Sequence, residues 1–373
     1  MEDYQQLKID GKEYLIIDSI QDFRAEDSFI HRKNKLAQFK GNGESKKHIG
    51  TYSGELGQSI SNFFDYFAWG KEHFDKDKNR KSIESANSFG ATISLNRCFF
   101  SKSNLLQYLK DAKAEYFSQE QHYHNNIWDY YTDRLNEVEQ LPNEQQYFSI
   151  YDASDNLSQK QKRGYIRSDD SIWKTWRELI LPGISYLSIL KLVPKGATNE
   201  EPLFYFRILL DYQFRSFVHP NSIDSDEKTE PDKEVDLAEK RKYRQGSEKY
   251  RKDVLNHMVQ CPFTKITDER LLIASHIKPY SICIKEHRED QALDFLNGLA
   301  LSPTYDKLFD QGYITFTNSG ELICGTQLSS YTWEKLKINP NSKNVMRIYP
   351  EKREEYLEYH RTNVFQDNVN DLL

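Results

Sequence analysis

Residues 271–280 read LLIASHIKPY and set one imidazole, His276, between an apolar run and a proline. Leu271, Leu272 and Ile273 predict a short strand that buries these three side chains and ends at His276, with Pro279 turning the chain away. Taken alone, such a histidine reads as a hydrogen-bonded structural group. The residues on either side of it change that reading.

After His276 come a charge-rich polar loop, Asn297-Gly298, a short apolar segment, a helical turn carrying Asp306 and Asp310, and a hairpin around Asn318-Ser319-Gly320. The order is that of a strand pair followed by a helix. Asn297-Gly298 alone would be no more than a turn dipeptide. Upstream, KRKYRQGSEKYRKDVLNHMVQ (240–260) predicts a helix with Tyr250, Val254, Leu255 and Met258 along an apolar stripe. Arg241, Lys242, Arg244, Lys249, Arg251 and Lys252 make its other face basic, which suits contacts to phosphate.

This ordered set resembles the HNH nucleases, whose ββα-metal module has a histidine at the end of its first strand, an asparagine in the connecting loop and a metal ligand on the helix. His276, Asn297 and Asp306 fall on those positions, and Asp310 lies one helical turn beyond Asp306. RQGSEKYRKDVL (244–255) is similar to the RxGQxxFRxxLL helix preceding the module in HNH restriction endonucleases, and QCPFT, ASHIKP and NGLALSPTYDKLFDQG look like its other blocks. The resemblance covers roughly residues 241–328. It departs from many members at Ser275, where they carry an aspartate or histidine that ligates metal.

The resemblance implies phosphodiester hydrolysis with His276 as general base and Asn297 fastening the loop backbone so that the imidazole is oriented. It implies Asp306 as first metal ligand and Asp310 as second, for Mg²⁺ or Mn²⁺. The chemistry suits the residue types. Neutral imidazole can take a proton from water near neutral pH, and carboxylate oxygens favour hard cations over zinc. Cys98, Cys261, Cys283 and Cys324 never form a CxxC pair, so neither a disulfide framework nor a structural zinc is expected. His122 and His124, spaced i and i+2, face different sides of a helix and read as surface.

Residues 220–239, PNSIDSDEKTEPDKEVDLAE, carry two prolines and many acids and read as an acidic linker. Its PD and later glutamate lack the apolar strands that a PD-(D/E)xK nuclease core requires. The chain is thereby expected to divide into a DNA-recognition region, 1–219, with a subdomain boundary near 145, and a nuclease domain with a C-terminal extension, 240–373. In the first region, EPLFYFRILLDYQFRSFV (201–218) predicts a core strand or strand pair, while FSIYDAS and RGYIRS predict short strands. Residues 104–141 have helical spacing, and 170–192 predict a capped helix and then a strand beyond Pro182-Gly183. The fold class is therefore α+β, a mixed recognition region followed by a ββα-metal domain.

A net charge of −6, from 51 basic and 57 acidic residues in 373, excludes a chain that coats nucleic acid uniformly and directs attention to local clusters. These are 31–48, the stretch around Arg80, and SQKQKRGYIRS (158–168), of which Lys160, Lys162, Arg163 and Arg167 are the preferred DNA contacts. The first twenty residues carry charges throughout and no window approaches a membrane span, so a soluble, cytoplasmic protein is expected. With the two-part layout, the resemblance implies a restriction-type endonuclease that cuts double-stranded DNA at or near a specific sequence. A double-strand break then implies a homodimer or sequential nicking, and a cognate methyltransferase is a candidate partner. The alternatives are a modification-dependent or other defence nuclease, which an aromatic cage in the first region would favour, and an inactive DNA-binding relic, which the intact His276, Asn297 and Asp306 argue against.

Overall fold

A computed structural model of the chain describes residues 4–25, 47–51, 63–64, 75–76, 93–118, 127–152, 163–196, 201–216, 246–342, 346 and 350–372. Two units emerge, Met1–Ser216 and Phe217–Leu373. The acidic linker, Arg244, Lys160, Lys162, the His122/His124 pair and the clusters at 31–46 and Arg80 lie outside the described residues.

The first unit is built on a nine-stranded sheet: β1 (Gln5–Ile9), β2 (Lys12–Arg24), β3 (Lys47–Thr51), β4 (Asp75–Lys76), β5 (Ile93–Phe100), β6 (Gln146–Asp152), β7 (Arg163–Arg167), β8 (Ser185–Pro194) and β9 (Leu203–Leu210). The order is β1-β2-β8-β9-β5-β6-β7-β3, with β4 pairing β5. Strands from both sides of residue 145 enter this one sheet, so a boundary there has no counterpart in the pairing. β5 and β9 run parallel, matching Cys98 with Phe204, whereas β8 and β9 form an antiparallel pair along their length.

Helix Lys102–Ser118 packs on β9, and helix Ile127–Glu139 packs on that helix. Helix Ser171–Leu179 buries Ile172, Trp173, Thr175, Trp176 and Leu179, a spacing that brings one stripe inward. Asp170 stands at its N-cap, but its carboxylate accepts from the backbone N–H of Ser149, 2.6 Å away, tying the helix start to β6 instead of to the helix itself. The aromatic rings supply the core: Trp173 and Trp176 lie 4.5 Å apart, and Phe148 contacts Phe100 and Phe206 at 5.1 Å each.

The second unit begins, among described residues, with a helix over 246–257. β10 (Ile273–His276) pairs antiparallel with β11 (Gly298–Leu301), setting His276 opposite Gly298, and helix Pro303–Asp310 packs on both strands. β12 (Ile314–Phe316) and β13 (Leu322–Cys324) make the expected hairpin. Helices Ser330–Leu336 and Glu354–Tyr359 follow, the latter running into a π-helical turn, His360–Val364. No helix among the described residues is long and apolar enough to cross a membrane.

Two local expectations are corrected. Leu272 is buried at 2% exposure, but Leu271 is 51% and Ile273 36% exposed. Leu271 ends a 3-10 turn, so the strand starts two residues later. On the same strand Ser275 is buried, so burial is confined to the part of β10 away from Ile273. The polar stretch after Pro279 is no simple loop but holds two short helices, Tyr280–Lys285 and Glu289–Ala292, which bury Ile282, Cys283, Gln291 and Ala292. One or two turns are too short to register as helical periodicity.

Candidate active site

His276 ends β10 with its ring stacked on Tyr250 from helix 246–257, centroids 4.1 Å apart and planes within 11°. Its Nε2 lies 3.0 Å from the carbonyl oxygen of Ala292. A carbonyl only accepts, so Nε2 carries the proton of the neutral ring and Nδ1 keeps its lone pair. Burial pulls the imidazole's pKa below its ordinary value, opposed by the Ala292 bond, so the neutral base persists to lower pH.

Asn297 is fully buried and spends its amide on backbone. Oδ1 accepts from Lys278 N at 2.7 Å, while Nδ2 donates to Lys278 O and Gln291 O, each at 3.0 Å. The side chain thus closes the loop that leaves the histidine strand and returns to β11. Tyr250 adds a second tie, its hydroxyl donating to Asn297 O at 3.0 Å.

Gly298 explains why the Asn-Gly pair occurs here. Its backbone is extended, with φ −136°, so no turn requires glycine. A Cβ at this position would instead sit 2.5 Å from Val254 Cγ2 and 2.6 Å from the Tyr250 hydroxyl. The glycine lets helix 246–257 approach the strand opposite His276.

Asp306 and Asp310 project from helix Pro303–Asp310 toward Ser275. Ser275 Oγ is buried and makes no hydrogen bond of ordinary geometry. It nevertheless lies near enough to both carboxylates to lower their pKa values, against the larger effect of desolvation, which raises each. Asp310 is open to solvent at its own surface, so screening acts on it. Even so, desolvation by the surrounding protein first, and the Asp306 carboxylate second, push it up to about 6. Lys307, exposed on the same helix, opposes both rises.

Two repelling carboxylates beside an orphaned buried hydroxyl form an all-oxygen donor set that fits a hard divalent cation. Among the described residues no cluster of three or more His, Cys, Asp or Glu stands ready to hold a metal. Cys98, Cys261, Cys283 and Cys324 are buried and free of disulfides.

The basic residues diverge. Lys249 is exposed on helix 246–257. Arg251 turns inward, donating to Leu272 O at 2.7 Å and to Glu269 O at 2.5 Å, and so braces the segment that leads into β10. Arg163 and Arg167 fall on β7. Sequence reasoning placed Tyr250 in an apolar stripe but missed its stacking on His276. An aromatic residue at the buried position of a helix flanking a strand end was the available signal. The Ala292 carbonyl that fixes the tautomer gave none, because backbone acceptors carry no sequence signature.

The span 261–317 matches the family model HNH_2, described as an HNH endonuclease. His276, Asn297, Asp306 and Asp310 all lie within the matched span; helix 246–257 and everything beyond Thr317 lie outside it. No curated protein matches the chain.

Proposed function

We propose, from the premise that residues 261–317 form an HNH endonuclease domain, that the chain is a metal-dependent DNA endonuclease of restriction type, acting in the cytoplasm. It hydrolyses phosphodiester bonds of double-stranded DNA at or near a specific sequence. The observation that carries this is the pairing of His276, its Nδ1 lone pair left available by the Nε2 bond to Ala292 O, with the carboxylate pair facing the neighbouring Ser275.

In this mechanism His276 Nδ1 takes a proton from the attacking water, a contribution of about 10²–10⁴-fold. The Ala292 carbonyl holds the productive tautomer and stabilises the imidazolium once formed. Asn297 and Tyr250 keep the ring aimed through the loop backbone and the stacked face. Asp306 and Asp310 would hold Mg²⁺ or Mn²⁺, which when bound would supply a Lewis acid for the charge that develops on the phosphate and leaving oxygen. Lys307 and Lys249 offer ammonium groups to the DNA backbone, with Arg244 as a further phosphate contact. Arg251 contributes through bracing.

The first unit serves as the reader, with Lys160, Lys162, Arg163 and Arg167 as its DNA contacts. Phe100, Phe148, Trp173, Trp176 and Phe206 pack on one another as core, which supports reading of an ordinary duplex over a caged modified base. One such centre cuts one strand, so a double-strand break requires a homodimer or sequential nicking. A cognate methyltransferase protects the host sites.

Incubation of wild type and His276→Ala with plasmid, in Mg²⁺ or in EDTA, tests the proposal. Cleavage into discrete bands, lost with EDTA and with the substitution while DNA binding persists, is the expected result. Unchanged cutting by His276→Ala sinks the mechanism, and a smear in place of bands sinks the site-specific reading.

A further inference from the structure

The C-terminal segment, well past the matched span, grips the candidate active site on both of its sides. Arg353, only 6% exposed, donates from Nε to Gly298 O at 3.2 Å. Gly298 is the residue paired with His276 across β10 and β11. One helical turn later the Tyr356 hydroxyl donates to Asp294 Oδ2 at 2.9 Å, while Asp294 Oδ1 accepts from Leu296 N at 2.9 Å. With the Tyr250 bond to Asn297 O, the segment 294–298 that delivers Asn297 and Gly298 is thus held by three side chains from outside it.

The far end of the same segment holds the carboxylate helix. His360 Nε2 donates to Phe309 O at 3.0 Å, and its ring stacks on Phe309 with centroids 3.8 Å apart and planes 1° apart. With Nε2 protonated, Nδ1 accepts from the Thr315 hydroxyl at 2.9 Å. Arg361 donates to Phe316 O at 2.8 Å, Gln366 N to Gly312 O at 3.0 Å and Gln366 Nε2 to Gln311 O at 2.8 Å. Gly312, at φ +70°, leaves room for Val364 O, which a Cβ would approach to 2.1 Å. The π-helical turn over His360–Val364 brings these groups to the end of helix Pro303–Asp310.

Packing alone would be served better by an aliphatic side chain than by a buried guanidinium, whose charged form burial disfavours. Asp294 and Tyr250 offset part of that cost. What the guanidinium adds is a directed bond to the strand opposite the catalytic histidine.

We propose that Arg353 is a positioning residue for His276, acting through Gly298, and that segment 353–366 fixes the histidine strand relative to the carboxylate helix. The inference rests on the nuclease reading for its catalytic consequence, though not for its structural one.

The test uses the full chain and the variants Arg353→Met, Arg353→Lys and Tyr356→Phe. Initial rates of plasmid cleavage in Mg²⁺ are expected to show kcat reduced about 10–100-fold in Arg353→Met with KM for DNA unchanged, and most of it regained in Arg353→Lys. Hydrogen–deuterium exchange, which needs no cleavage, is expected to speed up over 273–301 in Arg353→Met but not over the helix Ser330–Leu336. If Arg353→Met fails to fold, Arg353→Lys and Tyr356→Phe carry the same exchange measurement, with milder acceleration over 273–301 expected. A kcat within about twofold of wild type, or a rise in KM alone, overturns the catalytic role. Unchanged exchange over 273–301 overturns the positioning itself. A wild type that does not cut DNA defeats the nuclease reading instead, and exchange still decides whether Arg353 sets the strand.

Discussion

In the sheet unit, Phe100, Phe148, Trp173, Trp176 and Phe206 pack ring against ring between helices and a nine-stranded sheet. In the ββα unit two strands of four residues carry the candidate chemistry, and the bonds that hold them run from side chains to backbone: Asn297 to Lys278 and Gln291, Tyr250 to Asn297, Arg353 to Gly298. Apolar packing is non-directional and tolerates small displacements. A hydrogen bond specifies where an atom lies. The contrast is between rings packed in bulk and a site held by placed bonds, and substitutions should separate the two.

The largest effect is expected at His276. His276→Ala should lower the cleavage rate by about 10²–10⁴-fold and cost less stability than a core truncation, since the half-buried ring gives up one stacked face and one hydrogen bond. Trp173→Ala in the sheet unit should do the reverse, costing about 3–5 kcal/mol of stability in a denaturant titration. A similar loss from His276→Ala would erase the contrast.

Gly298→Ala probes the meeting of the two strategies. Its methyl would collide with Val254 and the Tyr250 hydroxyl, so we expect a cost of about 1–3 kcal/mol in chemical denaturation, together with slower cleavage. Normal cleavage would show that the approach of helix 246–257 does not govern the histidine.

The smallest effect concerns the carboxylates. Asp310 has its pKa raised on folding, so the folded chain holds that proton more tightly than the unfolded one. The resulting stability is fully present below the ordinary value of 3.8 and is lost as pH rises through about 6. In EDTA at pH 7.5, Asp310→Asn should raise the unfolding temperature by roughly 1–3 °C. That gain should disappear below pH 3.8. The same variant should lose the stabilisation that Mg²⁺ gives wild type, as seen by scanning calorimetry. Mg²⁺ should bind more weakly as pH drops through about 6, because a proton then competes with the cation for Asp310. A variant stabilised equally at all pH values would remove the two-carboxylate repulsion from the account.

The ββα unit was legible because its parts follow one another locally: strand, return strand, helix and hairpin appear in the chain in the order His276, Gly298, Asp306, Asn318. Strands β6, β7 and β9 and helix Ser171–Leu179 were legible from alternation and spacing in the same way. What escaped is non-local. The parallel match of β5 with β9 joins residues that no window contains. Leu271 and Ile273 looked like core because apolar content cannot show which residues of a segment the rest of the fold will cover. Arg353 and His360 sit in a charged C-terminal stretch without a motif, and their contacts lie on backbone atoms that every residue has.

The parallel pairing of Cys98 with Phe204 also bears on how the molecule assembles. Closing so long a loop is entropically slow, whereas the match of His276 with Gly298 closes a short one. After dilution from denaturant the half that carries the histidine should regain its amide protection ahead of the nine-stranded half. During that interval the chain would hold the paired strands around His276 and Gly298 while the nine-stranded sheet was still unformed.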